Sequence, residues 1–466
     1  MLRYFRINDP YRLLGLLVIM IAISLPLFLD APAMTYPELK SILIGEKVHE
    51  GNSLYIDIID STAPLAGWFD GFFEWIFGRS LLGRHILAFF IIFSQATYLG
   101  IIFINKKAFA ESTFIPSVIF GLLFFFSFDT FSLTAELLGS GVLLLALNNL
   151  FRQIEFREQG DPLILGVYIG VASLFSFSYS VYLIASLVIL MIFTRSSVRG
   201  YLLLIFGFLL PHLMLMSIYY LKNGLPALWE FHYLPNLGFA ADRYISTKSL
   251  WILGALPLLF LVVSLVMLNR DARFTKYQSQ LVQTMFFWMI FSFLQILYSK
   301  DLRPQSFITL FPALSFYIAH FLLLIRRRKF AEISIWILLI GIVSISYLSR
   351  YNHIPAVQYS TLFVKDHAWS NVSNKKVLML GDEFNVYKNN SLGSGFMNWR
   401  LSREIIEQPY YYENVVQVYH SFQNDKPDVI IDPSNLMPHI FDRLPALKNQ
   451  YTPAGENMYE LKKQVN

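Results

Sequence analysis

Residues 13–29 read LLGLLVIMIAISLPLFL, and residues 251–268 read WILGALPLLFLVVSLVML. Neither stretch contains a charged side chain. A helix of about 20 apolar residues crosses a hydrocarbon core of roughly 30 Å. Similar apolar blocks recur along the chain, so the sequence predicts a polytopic α-helical membrane protein.

The composition supports this prediction. Of the 466 residues, 55% are hydrophobic and only 15% are charged, whereas soluble domains carry about 25% charged residues. The absence of cysteine excludes a disulfide framework, a thiol nucleophile and thiolate metal sites. The net charge of +5 does not indicate a nucleic-acid partner, because the basic residues are sorted by membrane side.

About eleven transmembrane spans are predicted, at residues 12–29, 85–104, 112–128, 136–150, 162–176, 178–194, 200–221, 250–268, 283–299, 306–325 and 331–348. Sixteen Lys and Arg lie in every second connection: Arg3, Arg6, Arg12, Lys106, Lys107, Arg152, Arg157, Arg195, Arg199, Arg270, Arg273, Lys276 and 326–329. Basic loops stay in the cytoplasm, so we expect a bacterial inner-membrane protein with its amino terminus inside and its carboxyl terminus outside. A cleaved signal peptide is the alternative for the first span, since Ala31-Pro32-Ala33 resembles a cleavage site.

Two segments are expected on the outer, periplasmic face. The chain is divided into a transmembrane domain, residues 1–348, which includes a structured loop at 30–84, and a small soluble α/β domain, residues 349–466. In the second domain, strands are predicted at 376–381, 428–432 and 458–462, and a helix at 412–422. No Gly-rich phosphate loop follows the first of these strands, so a structural or substrate-gating role is favoured over nucleotide binding.

The first outer loop is acidic and has helical spacing at 36–49 and 68–77. It contains Asp30, Glu38, Glu46, Glu50, Asp57, Asp60, Asp70 and Glu74 against only Lys40 and Lys47. A folded acidic loop at the membrane surface can supply a carboxylate base to a reaction there. A solvated acidic surface is the alternative interpretation.

Three motifs in this loop resemble a known family. They are T-Y-P-E-L-K (35–40), G-N-S-L-Y-I-D-I-I-D-S-T-A-P-L (51–65) and F-G-R-S-L-L-G-R-H (77–85). Together they are similar to the first periplasmic loop of GT-C glycosyltransferases, which use polyprenyl-phosphate sugars and include bacterial protein O-mannosyltransferase relatives and the lipid A aminoarabinose transferase. The resemblance implies a GT-C-like fold and inverting sugar transfer to an acceptor on the periplasmic side. It implies no organic cofactor and leaves a divalent cation open.

The resemblance also assigns roles to acidic residues of this chain. Glu38 falls near the catalytic acid of the family, with Asp30 as the second choice. The family commonly has an acidic pair there, whereas this chain has Pro37-Glu38, which leaves the exact base and catalytic activity open. Asp57, Asp60 and Glu136 are expected to be supporting acids. A glycine-containing span, residues 166–172, is expected to allow close helix packing.

Cations at the outer face are candidates for binding the donor phosphate. Arg303 and Lys300 lie in a very short outer connection, and Arg243 lies in a longer one. The planar fork of Arg can bind two phosphate oxygens at once, and Arg303 is preferred because few basic residues lie in short outer connections. An Arg that only extends to the lipid headgroups is the alternative.

Two other function classes stay open. A lipid-linked-substrate transporter would need polar residues in the middle of spans, and these spans are almost free of them. A non-catalytic scaffold of the cell envelope would use the outer domain to bind a partner, and it would transfer no sugar. Besides the donor lipid, membrane lipids are the expected partners, and the acceptor is left open.

Overall fold

The computed structural model describes residues 1–156, 161–194, 196–239, 242–366, 369, 372–455 and 457–462. Arg157 and Arg195, used above for orientation, lie outside the described residues.

The α-helices are α1 (Leu2–Phe5), α2 (Arg12–Leu29), α3 (Tyr36–His49), α4 (Pro64–Phe77), α5 (Leu81–Asn105), α6 (Ile115–Leu123), α7 (Ala135–Glu155), α8 (Pro162–Phe175), α9 (Val181–Phe193), α10 (Val198–Leu221), α11 (Leu225–Leu228), α12 (Leu234–Leu237), α13 (Thr247–Asp271), α14 (Lys276–Tyr298), α15 (Phe311–Leu324), α16 (Arg328–Arg350), α17 (Trp399–Glu407), α18 (Tyr412–Asn424), α19 (Met437–Arg443) and α20 (Pro445–Lys448). The strands are β1 (Asp242–Arg243), β2 (Asp301–Leu302), β3 (Lys376–Met379), β4 (Ser391–Leu392), β5 (Val429–Ile431), β6 (Tyr451–Pro453) and β7 (Met458–Leu461). Short 3-10 segments lie at Phe124–Phe126, Phe128–Phe131, Phe177–Ser180, Pro304–Leu310 and Phe384–Lys388.

The expected spans differ in how well they can cross a membrane. In the described part of the chain, 8 helices are long and apolar enough to do so. The other three predicted spans, 112–128, 162–176 and 178–194, correspond to apolar helices of 10–17 residues. At 1.5 Å per residue these reach at most about 25 Å, which is shorter than a hydrocarbon core of roughly 30 Å. Eight of the predicted spans therefore correspond to helices long enough to cross a membrane, and the other three correspond to shorter apolar helices.

The chain packs into two compact units. The membrane unit comprises Met1–Pro32, Ser80–Leu215 and Phe239–Leu362, and the second unit comprises Ala33–Arg79, Met216–Gly238 and Phe363–Asn466. This grouping differs from a linear division after residue 348, because most of the first outer loop packs with the carboxyl-terminal region.

Glycines allow α8 and α10 to pack backbone to backbone in the membrane unit. A Cβ atom placed on Gly166 would lie 2.1 Å from the carbonyl oxygen of Leu204, and one on Gly207 would lie 2.2 Å from that of Leu163. Gly170 meets the backbone of α10 in the same way. The predicted packing role of the span at 166–172 is thus confirmed.

A five-stranded sheet lies in the second unit, with strand order β4-β3-β5-β7-β6. Strand β3 is parallel to β4 and β5, whereas β7 is antiparallel to β5 and β6. The residues of β5 and most of β3 are buried, as expected for apolar runs between helices. These strands, β7 and α18 lie close to their predicted positions.

A buried lysine joins the first outer loop to this α/β region. Lys47, on α3, is 2% exposed and donates hydrogen bonds to Asp425 and to Glu50. Lys376 also donates to the Asp425 carboxylate, at 2.6 Å. Burial opposes ionisation of Asp425, but the hydrogen bonds from Lys376 and Lys47 outweigh it and lower the pKa of that carboxyl.

The α8–α10 contact predicts the effect of a single methyl group. Gly166→Ala should destabilise the protein by about 1–3 kcal/mol, because the added Cβ overpacks a backbone contact. Gly254→Ala is the matched control, since its Cβ would meet nothing closer than 3.7 Å. Denaturant unfolding in detergent measures both, and equal stability of the two variants would contradict the packing assignment.

The Asp425 cluster predicts a pH dependence. Because the pKa is lowered in the folded state, the ionised carboxylate stabilises the fold above the unfolded value of about 3.9, and this contribution is lost as the pH falls through the lower folded value. Asp425→Asn should lower the free energy of unfolding by about 1.5–3 kcal/mol at pH 7. Amide hydrogen exchange in α3 should then be faster in this variant than in the exposed control variant Asp442→Asn. At a pH below the folded value the difference should disappear; an unchanged difference there would refute the assignment.

Candidate functional site

Glu38, the first predicted base, lies at the start of α3 and is 7% exposed. Its Oε2 accepts hydrogen bonds from the backbone N–H and the Oγ1 of Thr35, both at 2.9 Å, while Thr35 Oγ1 accepts from the N–H of Glu38. This reciprocal arrangement is a capping box, which the T-x-x-E spacing at 35–38 signals in the sequence. Glu38 therefore has a role in helix formation that sequence reasoning missed.

Asp30, the second predicted base, belongs to the membrane unit. It is exposed at the end of α2, and its Oδ2 accepts hydrogen bonds from Arg350 at 3.3 Å and from the Tyr351 hydroxyl at 3.1 Å. The Asp30 carboxylate therefore joins the end of α2 to the end of α16. The two candidate bases are placed in different units, each with partners of its own.

The supporting acids Asp57 and Asp60 shape the segment between α3 and α4. Asp57 accepts a hydrogen bond from the N–H of Ser53 at 2.8 Å, which braces the turn. Asp60 is 1% exposed, accepts from the N–H of Thr62 at 2.7 Å and pairs with Lys40 at 3.0 Å. The Lys40 partner was not predicted, because an ion pair across twenty residues leaves no local sequence signal.

Asp60 faces a group of buried rings in the same unit. Burial, followed by the neighbouring Tyr219 and Asp60, raises the pKa of Tyr55 well above its ordinary value. The Tyr55 hydroxyl donates to the carbonyl of Thr62, and its ring lies 5.5 Å from the His232 ring. Asp60 Oδ2 is buried and accepts no hydrogen bond within the described chain. A buried carboxylate oxygen in this state can accept a donor hydroxyl.

The predicted phosphate-binding cations lie together at one end of the membrane unit. Strands β1 and β2 pair in parallel, with Arg243 opposite Leu302, so that Arg243 comes beside the connection that contains Lys300 and Arg303. Arg243 is exposed and makes no ion pair with any residue that the structure describes. Burial lowers the pKa of Lys300, against the opposing effect of Asp242 and Asp301.

Arg303, unlike the exposed Arg243, is buried and only 1% exposed. Its Nη2 donates to Glu136 at 2.9 Å, and its Nη1 lies 3.6 Å from Asp129. Glu136 was predicted as a supporting acid, and the structure brings it to Arg303. Two carboxylates compensate the guanidinium charge, so this arrangement is suited to holding the connection in place rather than to attracting a further anion.

Asp129 is a partner of Arg303 that sequence reasoning missed. It lies just beyond the predicted span 112–128, in the second of the two 3-10 segments that follow the short helix α6, and it is fully buried. Its Oδ2 accepts from the N–H of Gln305 at 2.9 Å, and the Gln305 side chain accepts from Thr134 and donates to the carbonyl of Ser132. We call Asp129, Glu136, Arg303 and Gln305 the Arg303 cluster.

A divalent cation was left open by the sequence resemblance. Within the described residues no group of three or more His, Asp or Glu is arranged to hold a metal ion. The Arg303 cluster does not fit one either, because the guanidinium already occupies the position between its two carboxylates.

Comparison with known proteins identifies the fold. The structure is similar to the crystal structure of ArnT from Cupriavidus metallidurans in the apo state, with a TM-score of 0.53 and 13% sequence identity, over 96% of this chain and 97% of that chain. ArnT from the same organism, bound to undecaprenyl phosphate, also matches, with a TM-score of 0.48 and 13% identity over 93% of this chain and 88% of that one. The sequence matches no family model and no curated protein.

The chain is thus a polytopic helical membrane protein whose fold is similar to that of the apo ArnT structure. At this level of sequence identity the similarity defines the fold alone.

Substitutions of the two arginines should differ strongly in their effect on stability. Arg303→Gln should cost about 3–5 kcal/mol, because it leaves two buried carboxylates without their cation. Arg243→Gln, an exposed and unpaired position, should change stability by less than about 0.5 kcal/mol. Adding Glu136→Gln to Arg303→Gln should recover part of the loss. Denaturant unfolding tests this, and a stable Arg303→Gln variant would contradict the structural role of the cluster.

Proposed function

We propose that this protein is a membrane glycosyltransferase that transfers a sugar from a polyprenyl-phosphate donor to an acceptor on the outer face of a bacterial inner membrane. The observation that carries the proposal is the GT-C fold, which extends over nearly the whole chain. The motifs of the first outer loop resemble the same class independently of the fold. Sugar identity and acceptor identity do not enter the proposal.

In the proposed reaction a carboxylate removes the proton from the acceptor hydroxyl. The oxygen then attacks the anomeric carbon, the bond between that carbon and the phosphate oxygen breaks, and polyprenyl phosphate leaves with the electron pair. Attack from the opposite side inverts the configuration at the sugar. A cation beside the phosphate stabilises the charge that develops on the leaving group.

For the phosphate ligand, the geometry favours Arg243 over the sequence preference for Arg303. Arg243 is exposed and uncommitted, whereas Arg303 is enclosed by Glu136 and Asp129. Lys300, half-buried in the adjoining connection, is the second candidate. Arg303 is then a positioning residue that fixes the connection next to β1.

For the base, Glu38 and Asp30 both stay proposals. Glu38 matches the family pattern, but one of its oxygens serves the capping box. Asp30 uses Oδ2 for Arg350 and Tyr351, while none of the hydrogen bonds of the described residues involves its Oδ1. A base needs an oxygen within reach of the acceptor hydroxyl. The family pattern therefore favours Glu38 as the base, and the Oδ1 atom favours Asp30.

The two candidates can be separated by isosteric substitutions. Glu38→Gln keeps the capping box, because Gln serves at that position as Glu does, and Asp30→Asn keeps the shape of its side chain. Loss of the base should lower transfer from a radiolabelled polyprenyl-phosphate sugar by about 10²–10⁴-fold in one of the two variants. The exposed Asp382→Asn is the control, and an unchanged melting temperature excludes misfolding. Full activity in both variants would remove both residues from the mechanism.

A second function is favoured by one observation. Pro37 replaces one acid of the family pair, and the remaining Glu38 already has a structural role. A non-catalytic scaffold of the cell envelope with a GT-C fold would account for this. It predicts that no lipid-linked sugar is consumed by the wild type and that a stoichiometric envelope protein co-purifies with it.

A further inference from the structure

A lateral groove of about 400 Å³ lies on the membrane unit, among α1, α2 and α16. Its lining is Met1, Tyr4, Phe5, Gly15, Ile19, Ala22, Ile23, Trp336 and Leu339. The side chains are almost entirely apolar, and the volume lies within the range of about 300–1,000 Å³ found for small-molecule sites. None of these residues belongs to the candidate site described above.

The two long helices that border the groove run in the same direction. Near their starts, Glu332 of α16 accepts hydrogen bonds from the Met1 amino group and from the N–H of Arg3, both at 3.1 Å. Further along, the hydroxyl of Tyr347 donates to the carbonyl of Ile23 at 2.6 Å. From Gly15 to Ile23 the groove follows α2 for about 12 Å, at the helical rise of 1.5 Å per residue.

The Tyr4 ring closes the end of the groove near the first residues of α2 and α16. The Tyr4 ring lies so close to Gly15 that a Cβ there would be 2.6 Å from it. The Arg12 guanidinium lies 4.3 Å from the centre of the same ring, a distance at which a cation is attracted to the ring face. At the opposite wall, Trp336 is 47% exposed, so the groove opens sideways to the bilayer.

Positive charge collects at this same end. Arg3, Arg326, Arg328 and Lys329 are exposed and form no ion pair with other described residues. The acids nearby are committed, because Glu332 pairs with the Met1 amino group, Asp9 with Arg12, and Glu111 with Arg6. The amino-terminal ends of α2 and α16 add partial positive charge.

We propose that the groove binds an anionic glycerophospholipid, with one acyl chain along α2 and α16 and the phosphate at the basic end. An apolar channel that opens to the bilayer suits an acyl chain, and the uncommitted cations complement a negative headgroup.

The site is distinct from the proposed donor site. Ser249, at the start of α13, contacts the backbone of Ala356 and Gln358, just beyond the end of α16. Arg243, which precedes α13, therefore lies toward the opposite end of α16 from Arg328. A donor phosphate bound by Arg243 and a phospholipid headgroup at Arg328 would lie on opposite membrane faces.

Quenching of Trp336 fluorescence by brominated lipid tests the proposal. The full-length protein is reconstituted in phosphatidylcholine bilayers that contain rising fractions of dibrominated phosphatidylglycerol or dibrominated phosphatidylcholine. The signal lost in Trp336→Phe isolates the contribution of this residue. We expect quenching by brominated phosphatidylglycerol to saturate at a low mole fraction, whereas brominated phosphatidylcholine should quench only in proportion to its amount.

Matched variants identify the headgroup contact. Arg328→Gln/Lys329→Gln should reduce the preference for phosphatidylglycerol by about fivefold for each cation removed, at about 1 kcal/mol per basic residue. Arg152→Gln/Arg199→Gln, which removes two exposed cations elsewhere, should not. Ala22→Trp should reduce quenching by filling the groove.

Three outcomes would overturn the proposal. Identical quenching curves for the two brominated lipids would exclude headgroup selectivity, and full selectivity in Arg328→Gln/Lys329→Gln would exclude the basic end. Relief of quenching by an equal amount of unbrominated polyprenyl phosphate would assign the groove to a prenyl chain. None of these measurements depends on sugar transfer.

Discussion

A buried guanidinium constrains one end of the membrane unit. Arg303 is only 1% exposed, and a charge at that depth is costly unless opposite charges compensate it. Glu136, at the start of α7, and Asp129, in the 3-10 segment Phe128–Phe131, provide that compensation. The connection between α14 and α15 is therefore held to the connection between α6 and α7, and β1 is held beside it through its pairing with β2.

This constraint explains why the helices on either side are irregular. Two 3-10 segments, Phe124–Phe126 and Phe128–Phe131, follow α6, and another, Pro304–Leu310, precedes α15. These turns bring Asp129 and Gln305 together. Short helices and buried polar groups belong together here, because irregular backbone at membrane depth must find its hydrogen-bond partners within the protein.

The sequence predicted the features that depend on local patterns. Apolar length gave the positions of the helices, and the glycine-containing span at 166–172, noted through the family resemblance, makes the close helix contact that was expected of it. Arg303 and Glu136 were both selected, although as a phosphate ligand and a supporting acid rather than as partners. Asp129 was missed because it adjoins an apolar run, where a single acid does not change the hydropathy pattern.

Contacts between distant segments could not be predicted in this way. The second unit joins the first outer loop to the sheet through Lys47 and Asp425, which are far apart in the sequence and have no periodic relation. Lys40 and Asp60 form a pair for which the same reasoning holds. Periodicity reports the face that a helix buries, but it does not report which remote carboxylate meets a buried lysine.

We propose that this ArnT-like fold binds a polyprenyl phosphate at the end of the membrane unit where Arg243 lies. A cryo-electron microscopy map of the protein in lipid nanodiscs with added polyprenyl phosphate tests it most directly. We expect phosphate density within hydrogen-bonding distance of the Arg243 guanidinium, with Arg303 still enclosed by Glu136 and Asp129. The absence of phosphate density at Arg243 under saturating polyprenyl phosphate would contradict it.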